Sequence, residues 1–283
     1  MEMVQTKVVA IAAAALLLCS CGPRFSWEVF RMDGHRTGVT PPYASNVEEA
    51  LGRVDDGVYT APNGAVFNGG ATAAAAADMI SVQPQLAALK EVVAYAPKTL
   101  TRNGDETELT NFLVDNLMIE VAKASGKKVD VGIMNFGGVR VDIPQGDVVL
   151  EDIVSMLPFK NYPCLVTLKG EDLLTTFEFM ASTMPQVLGG VEFEVEENKI
   201  KKILIGGEPL DKEKYYGVAT IDFLLDGGDG LKLGRNAKDL FIMKEKLSDV
   251  MIPCIKKLTE EGKPFEYKTD GRVKFTGKRT YPA

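Results

Sequence analysis

Histidine is almost missing from this sequence: the 283 residues contain one, His35. A hydrolytic centre that holds two metal ions close together draws on several His and Asp ligands, so such a centre is not expected in this chain. Ser or Cys nucleophiles that depend on a His base are excluded on the same ground. His35 lies in a stretch without periodicity and reads as a solvated linker residue. Accordingly, no catalytic residue and no metal ligand is assigned to this chain. Dense basic runs are also lacking. Lys and Arg total 32 against 39 Asp and Glu, a formal charge of -7, which argues against binding a nucleic-acid polymer. A small anion is still compatible with that balance, because one or two Arg side chains and a helix N-terminus hold a phosphate inside an acidic protein. What the chain does have is apolar material, 46% of its residues, enough for a sizeable core.

The one long apolar run is at the start, where residues 8–18 read VVAIAAAALLL after Lys7. That is the h-region of a signal peptide, too short for a stable membrane-spanning helix. It ends in Leu18-Cys19-Ser20-Cys21, which looks like a bacterial lipobox. Residues 1–20 are therefore expected to be a lipoprotein signal peptide, with Cys21 lipidated and the protein exported and anchored to a bacterial membrane on its periplasmic or cell-surface face. Of the remaining cysteines, Cys164 lies in the β-like run Pro163-Cys164-Leu165-Val166 and reads as a buried free thiol. Pairing of Cys164 with Cys254 in an oxidising compartment is the alternative.

Residues 21–44 mix Pro, Gly, Arg and aromatics and read as a tether. Residues 45–89 read as a small helical extension: a short helix over 46–54, then an Ala-rich helix starting at Gly69-Gly70. From 90 onward strands and helices interleave. Leu109, Phe112, Leu113, Leu117 and Val121 give 106–123 one apolar helical face. Strands are expected at 91–96, 129–135, 164–168, 191–195, 200–205, 215–221 and 273–275, and helices at 150–157, 171–182 and 246–260. Consecutive strands late in the chain point to a mixed sheet in an α/β (mixed α+β) fold.

Three loops carry candidate chemistry. In Asn135-Phe136-Gly137-Gly138-Val139-Arg140, two glycines admit a close ligand and Arg offers a planar fork for phosphate or carboxylate. Alone, it reads as a turn with a solvated Arg. Leu157-Pro158-Phe159 puts an aromatic directly after a helix, and Phe223-Leu224-Leu225-Asp226-Gly227-Gly228-Asp229-Gly230 puts another before a glycine-rich loop. Each Phe alone reads as a core residue.

Together these motifs, in this order and with Val166-Thr167-Leu168-Lys169-Gly170 between the second and third, resemble the C-terminal, substrate-binding domain of the 5'-nucleotidase family. The resemblance covers about residues 90–283 and implies the layered fold of that domain. It implies that Asn135 and Arg140 contact the substrate phosphate, that Gly138 belongs to the same binding site, that Phe159 and Phe223 sandwich the base, and that Asp229 accepts hydrogen bonds from ribose hydroxyls. Asp105 stands where family members commonly carry an Arg, with Arg102 three residues earlier. The function expected is that of the nucleotide- or nucleoside-binding half of a split 5'-nucleotidase. A separate metallophosphoesterase chain would bring two divalent metals and hydrolyse the phosphate ester. The alternative is a surface lipoprotein that binds nucleosides or nucleotides without a catalytic partner.

Overall fold

The computed structural model describes residues 46–278. The expected signal peptide with Cys21, the expected tether and His35 lie outside the described residues.

The segment before residue 90 differs from the expected helical extension. Helix α1 (Val47–Leu51) is followed by an antiparallel meander, β1 (Arg53–Asp55), β2 (Val58–Thr60) and β3 (Val66–Asn68), before the Ala-rich helix α2 (Gly70–Leu86) begins. The reason is Asp56-Gly57, where both residues take positive φ, 47° and 79°. That pairing makes the tight two-residue hairpin whose twist suits its flanking strands, and it sets Val54 opposite Tyr59. Ala73 and Ala76 are the buried residues of α2's first turns.

The remainder follows the expected order closely. Strand β4 (Val92–Ala96) precedes α3 (Glu108–Ser125), β5 (Val131–Met134), β6 (Gly146–Val149) and α4 (Leu150–Met156). Then come β7 (Pro163–Lys169), α5 (Gly170–Ser182), β8 (Val187–Gly189), β9 (Val191–Glu196), β10 (Lys199–Ile205), β11 (Glu208–Pro209) and β12 (Tyr215–Ile221). Last are β13 (Asp239–Ile242), α6 (Leu247–Glu260) and β14 (Val273–Thr276).

Helix α3 illustrates why these elements form. Thr107 and Thr110 build a capping box, with the Thr107 hydroxyl accepting the Thr110 N–H at 3.1 Å. Leu109, Phe112, Leu113, Leu117 and Val121 are all buried, each stabilising the fold by about 1.5–3 kcal/mol. Their partner is a five-stranded mixed sheet in the order β13-β7-β12-β5-β8, in which only β12 and β5 run parallel. A second mixed sheet, β11-β10-β9-β14, is joined to it through α5, whose Phe177 meets Phe193 with ring centroids 5.0 Å apart. The result is the layered mixed α/β fold expected from the sequence. Cys164 and Cys254 are both free thiols. Burial first, and then the charge of Asp222, pushes the Cys164 thiol up to about 12.

Sheet topology positions the site. Because β5 and β12 are parallel, their C-terminal ends leave the sheet on the same side. Antiparallel β7 enters there, with Pro163 opposite Ile221. The loops after β5, before β7 and after β12 therefore converge on one edge, the usual place for a ligand in an open α/β sheet.

Candidate functional site

The three loops that converge are the three motifs. Asn135 leaves β5 almost fully buried, at 5% exposure. Its side-chain Nδ2 donates to Asp229 Oδ2 at 3.0 Å, which joins the first motif to the third. Gly138 makes room for this side chain, since a Cβ there would lie 2.7 Å from Asn135 Oδ1. That Oδ1 is buried and has no hydrogen-bond partner. Nδ2 keeps a second N–H beyond the one given to Asp229, while Oδ1 is enclosed by the fold.

Asp229 is held in a left-handed conformation, φ 48° and ψ 28°, inside a glycine-rich turn. Such backbone states in non-glycine residues cost about 1–3 kcal/mol each and concentrate at ligand sites. Here the turn aims the carboxylate at Asn135. Asp226, the other carboxylate of the loop, is exposed.

Phe159 and Phe223 are half exposed, at 46% and 45%. Neither is a core residue; Leu224, fully buried beside Phe223, takes that place. Phe223 rests on the glycine loop, where a Cβ on Gly228 would come within 2.6 Å of its ring. Arg140 lies with its guanidinium carbon 5.8 Å from the centroid of the Phe159 ring, and its Nη1 donates to the Gly137 carbonyl at 3.4 Å. Its backbone N–H donates to Met156 O at 2.9 Å, which ties the Arg140 turn to the end of α4, just before Phe159. Among the described residues no carboxylate pairs with Arg140, so its charge is available to an anion. The loop bearing Arg102 also docks nearby, its backbone N–H donating to Asp142 Oδ1 at 2.8 Å.

One residue of the site does not stand out in the sequence. Asp222 Oδ1 accepts the backbone N–H of both Tyr162 and Phe223, at 2.9 and 3.0 Å, bridging the two aromatic loops. The available signal is an Asp opening a turn after a strand, a position where its carboxylate bonds nearby backbone. Among the described residues no group of three or more His, Cys, Asp or Glu side chains is placed to hold a metal ion. No helix among them is long and apolar enough to cross a membrane.

The sequence profile of the 5'-nucleotidase C-terminal domain matches residues 86–234, more than half of the chain. The chain belongs to that family. It is 28% identical over 214 residues to an apyrase of Tabanus yao, covering 65% of this chain and 38% of the apyrase. It is 32% identical over 135 residues to a 5'-nucleotidase of Vibrio cholerae, covering 46% of this chain and 24% of that protein. The chain thus spans well under half the length of these relatives. Among solved structures, a 5'-nucleotidase precursor of Thermus thermophilus superposes with a TM-score of 0.64 at 22% identity, covering 73% of this chain and 43% of that one. The NAD nucleotidase of Haemophilus influenzae gives a TM-score of 0.52 at 22% identity, over 74% of this chain and 42% of that one. These two share its fold.

Proposed function

We propose that this 5'-nucleotidase C-terminal domain holds a nucleotide or nucleoside with its base between Phe159 and Phe223 and its ribose hydroxyls on Asp229. The observation that carries the reading is the joint geometry of two half-exposed rings and a left-handed Asp229 fixed by buried Asn135, all on one sheet edge. An aromatic clamp tolerates different bases, because each has a π-face, and stacking contributes about 1–3 kcal/mol per base. A carboxylate suits a vicinal diol as acidic residues do in dinucleotide folds. In this reading Asn135 orients Asp229, Gly138 leaves space for it, and Arg140 is the cation for the 5'-phosphate.

Hydrolysis of the phosphate ester then belongs to a metallophosphoesterase on a separate chain, with this chain presenting the substrate to its two divalent metals. The support is chemical: one histidine in 283 residues is too few for a two-metal centre. Membrane attachment through lipidated Cys21 rests on the apolar run 8–18 and the lipobox-like Leu18-Cys19-Ser20-Cys21. Calorimetry of the purified protein with adenosine, AMP, ADP and UDP-glucose tests the reading. Saturable binding of at least one is expected, weakened by about 1–3 kcal/mol in Phe159→Ala. Absence of binding to all of them would remove it.

A further inference from the structure

We infer that Asp222 is the positioning residue that sets the gap between the two aromatic rings. The inference rests on the nucleoside-binding reading above but concerns a residue that touches no ligand. Asp222 Oδ1 accepts the N–H groups of Tyr162, at 2.9 Å, and of Phe223, at 3.0 Å, and its own N–H donates to Tyr162 O at 3.0 Å. A single carboxylate thus ties the loop that carries Phe159 to the turn that carries Phe223. The Phe159 loop has few other anchors: Asn161 O accepts the Leu247 N–H at 2.8 Å, beyond Phe159 from the helix end at Met156. Phe223 is fixed on its other side by close approach to Gly228.

Stacking on both faces of a planar base requires the rings to stay one base apart, and small misplacements in a preorganised site are expensive. Removing the Asp222 carboxylate leaves two N–H groups seeking water and only the backbone bond from Asp222 N–H to Tyr162 O to hold the two loops at that point. The geometry asks for an acceptor oxygen and makes no use of the charge, because both amides meet the same Oδ1. Asn should therefore replace Asp, and Ala should not.

The test combines calorimetry with adenosine and amide hydrogen exchange on the full chain. Asp222→Ala should weaken adenosine binding about tenfold, in the range of one lost hydrogen bond, and should speed exchange at the Tyr162 and Phe223 amides. Asp222→Asn should keep affinity within about twofold and retain amide protection. In a Phe159→Ala, Phe223→Ala background, Asp222→Ala should have no further effect on affinity, because its role runs through the rings. Unchanged affinity in Asp222→Ala, or a full additional loss in the ring-less background, overturns the proposal. Should Asp222→Ala fail to fold, Asp222→Ser serves, since its shorter hydroxyl reaches at most one of the amides. If the unmodified protein binds no nucleoside, the functional reading fails, while unaltered exchange at Tyr162 and Phe223 in the Ala variant is what would refute the positioning role itself.

Discussion

Two polar clusters of this protein are built from similar residues and differ in how completely they are satisfied. One joins α3 to the C-terminal segment. There Arg272 donates to Asp115 through both Nη atoms at 2.6 and 3.0 Å and to Asp270 at 2.8 Å, Tyr267 donates to Asp115 at 3.0 Å, and Glu106 accepts from Asn111 and from the Asp270 N–H, both at 2.8 Å. Burial works against the charge on Arg272, yet the hydrogen bonds to Asp270 and Asp115 outweigh it and hold the guanidinium above its usual value. Burial and the neighbouring Asp115 likewise push the Tyr267 hydroxyl up to about 12. The other cluster is the Asn135–Asp229 pair, which keeps a buried acceptor unfilled and a carboxylate in a left-handed turn. A saturated network locks chain segments together. An incomplete one carries a cost, since leaving a buried acceptor unmade costs about 1–3 kcal/mol.

Mutation should separate the two clusters. Arg272→Ala, with a side chain only 11% exposed in the native fold, should have the largest effect. Breaking a buried ion pair by removing one partner costs about 3–5 kcal/mol of folding stability, while nucleoside affinity of the folded fraction stays unchanged. Denaturant midpoints and calorimetry read both, and a large loss of affinity without loss of stability would erase the distinction. Phe159→Ala and Phe223→Ala should show the converse: about 1–3 kcal/mol of ligand affinity and far less stability than the roughly 3–5 kcal/mol of a core Phe deletion. A large drop in midpoint with unchanged affinity would place these rings in the core. The smallest stability change is expected for Asp229→Gly. Glycine adopts φ 48° without strain, which offsets the entropy it adds to the unfolded chain, so the melting temperature should change little while nucleoside binding falls. A destabilised Asp229→Gly would show that the Asn135 contact is structural first.

Many of the elements are legible along the chain. The apolar face of Leu109, Phe112, Leu113, Leu117 and Val121 announces α3, and strands such as Tyr215–Ile221 and Val191–Glu196 lie where their residues favour them. The strands that the local pattern does not reveal are short: Gly146–Val149, Val187–Gly189 and Asp239–Ile242 exist because an established strand lies alongside to pair with them. The meander before α2 is hidden for a different reason. Its marker, Asp56-Gly57 between Asp55 and Val58, is visible, but the surrounding polar residues and the Ala-rich run favour a helical reading.

Local residue patterns suffice for most of the element order from 90 onward and for the three loop motifs. These follow from periodicity, turn chemistry and composition, which neighbouring residues carry among themselves. Only folding of the whole chain brings Asn135 to Asp229, 94 residues away, stretches Asp222 between the two aromatic loops, and leaves both Phe rings half exposed. Those outcomes depend on β5 and β12 running parallel with β7 antiparallel beside them. Strand direction within a sheet is set by packing among distant segments, and no local pattern encodes it.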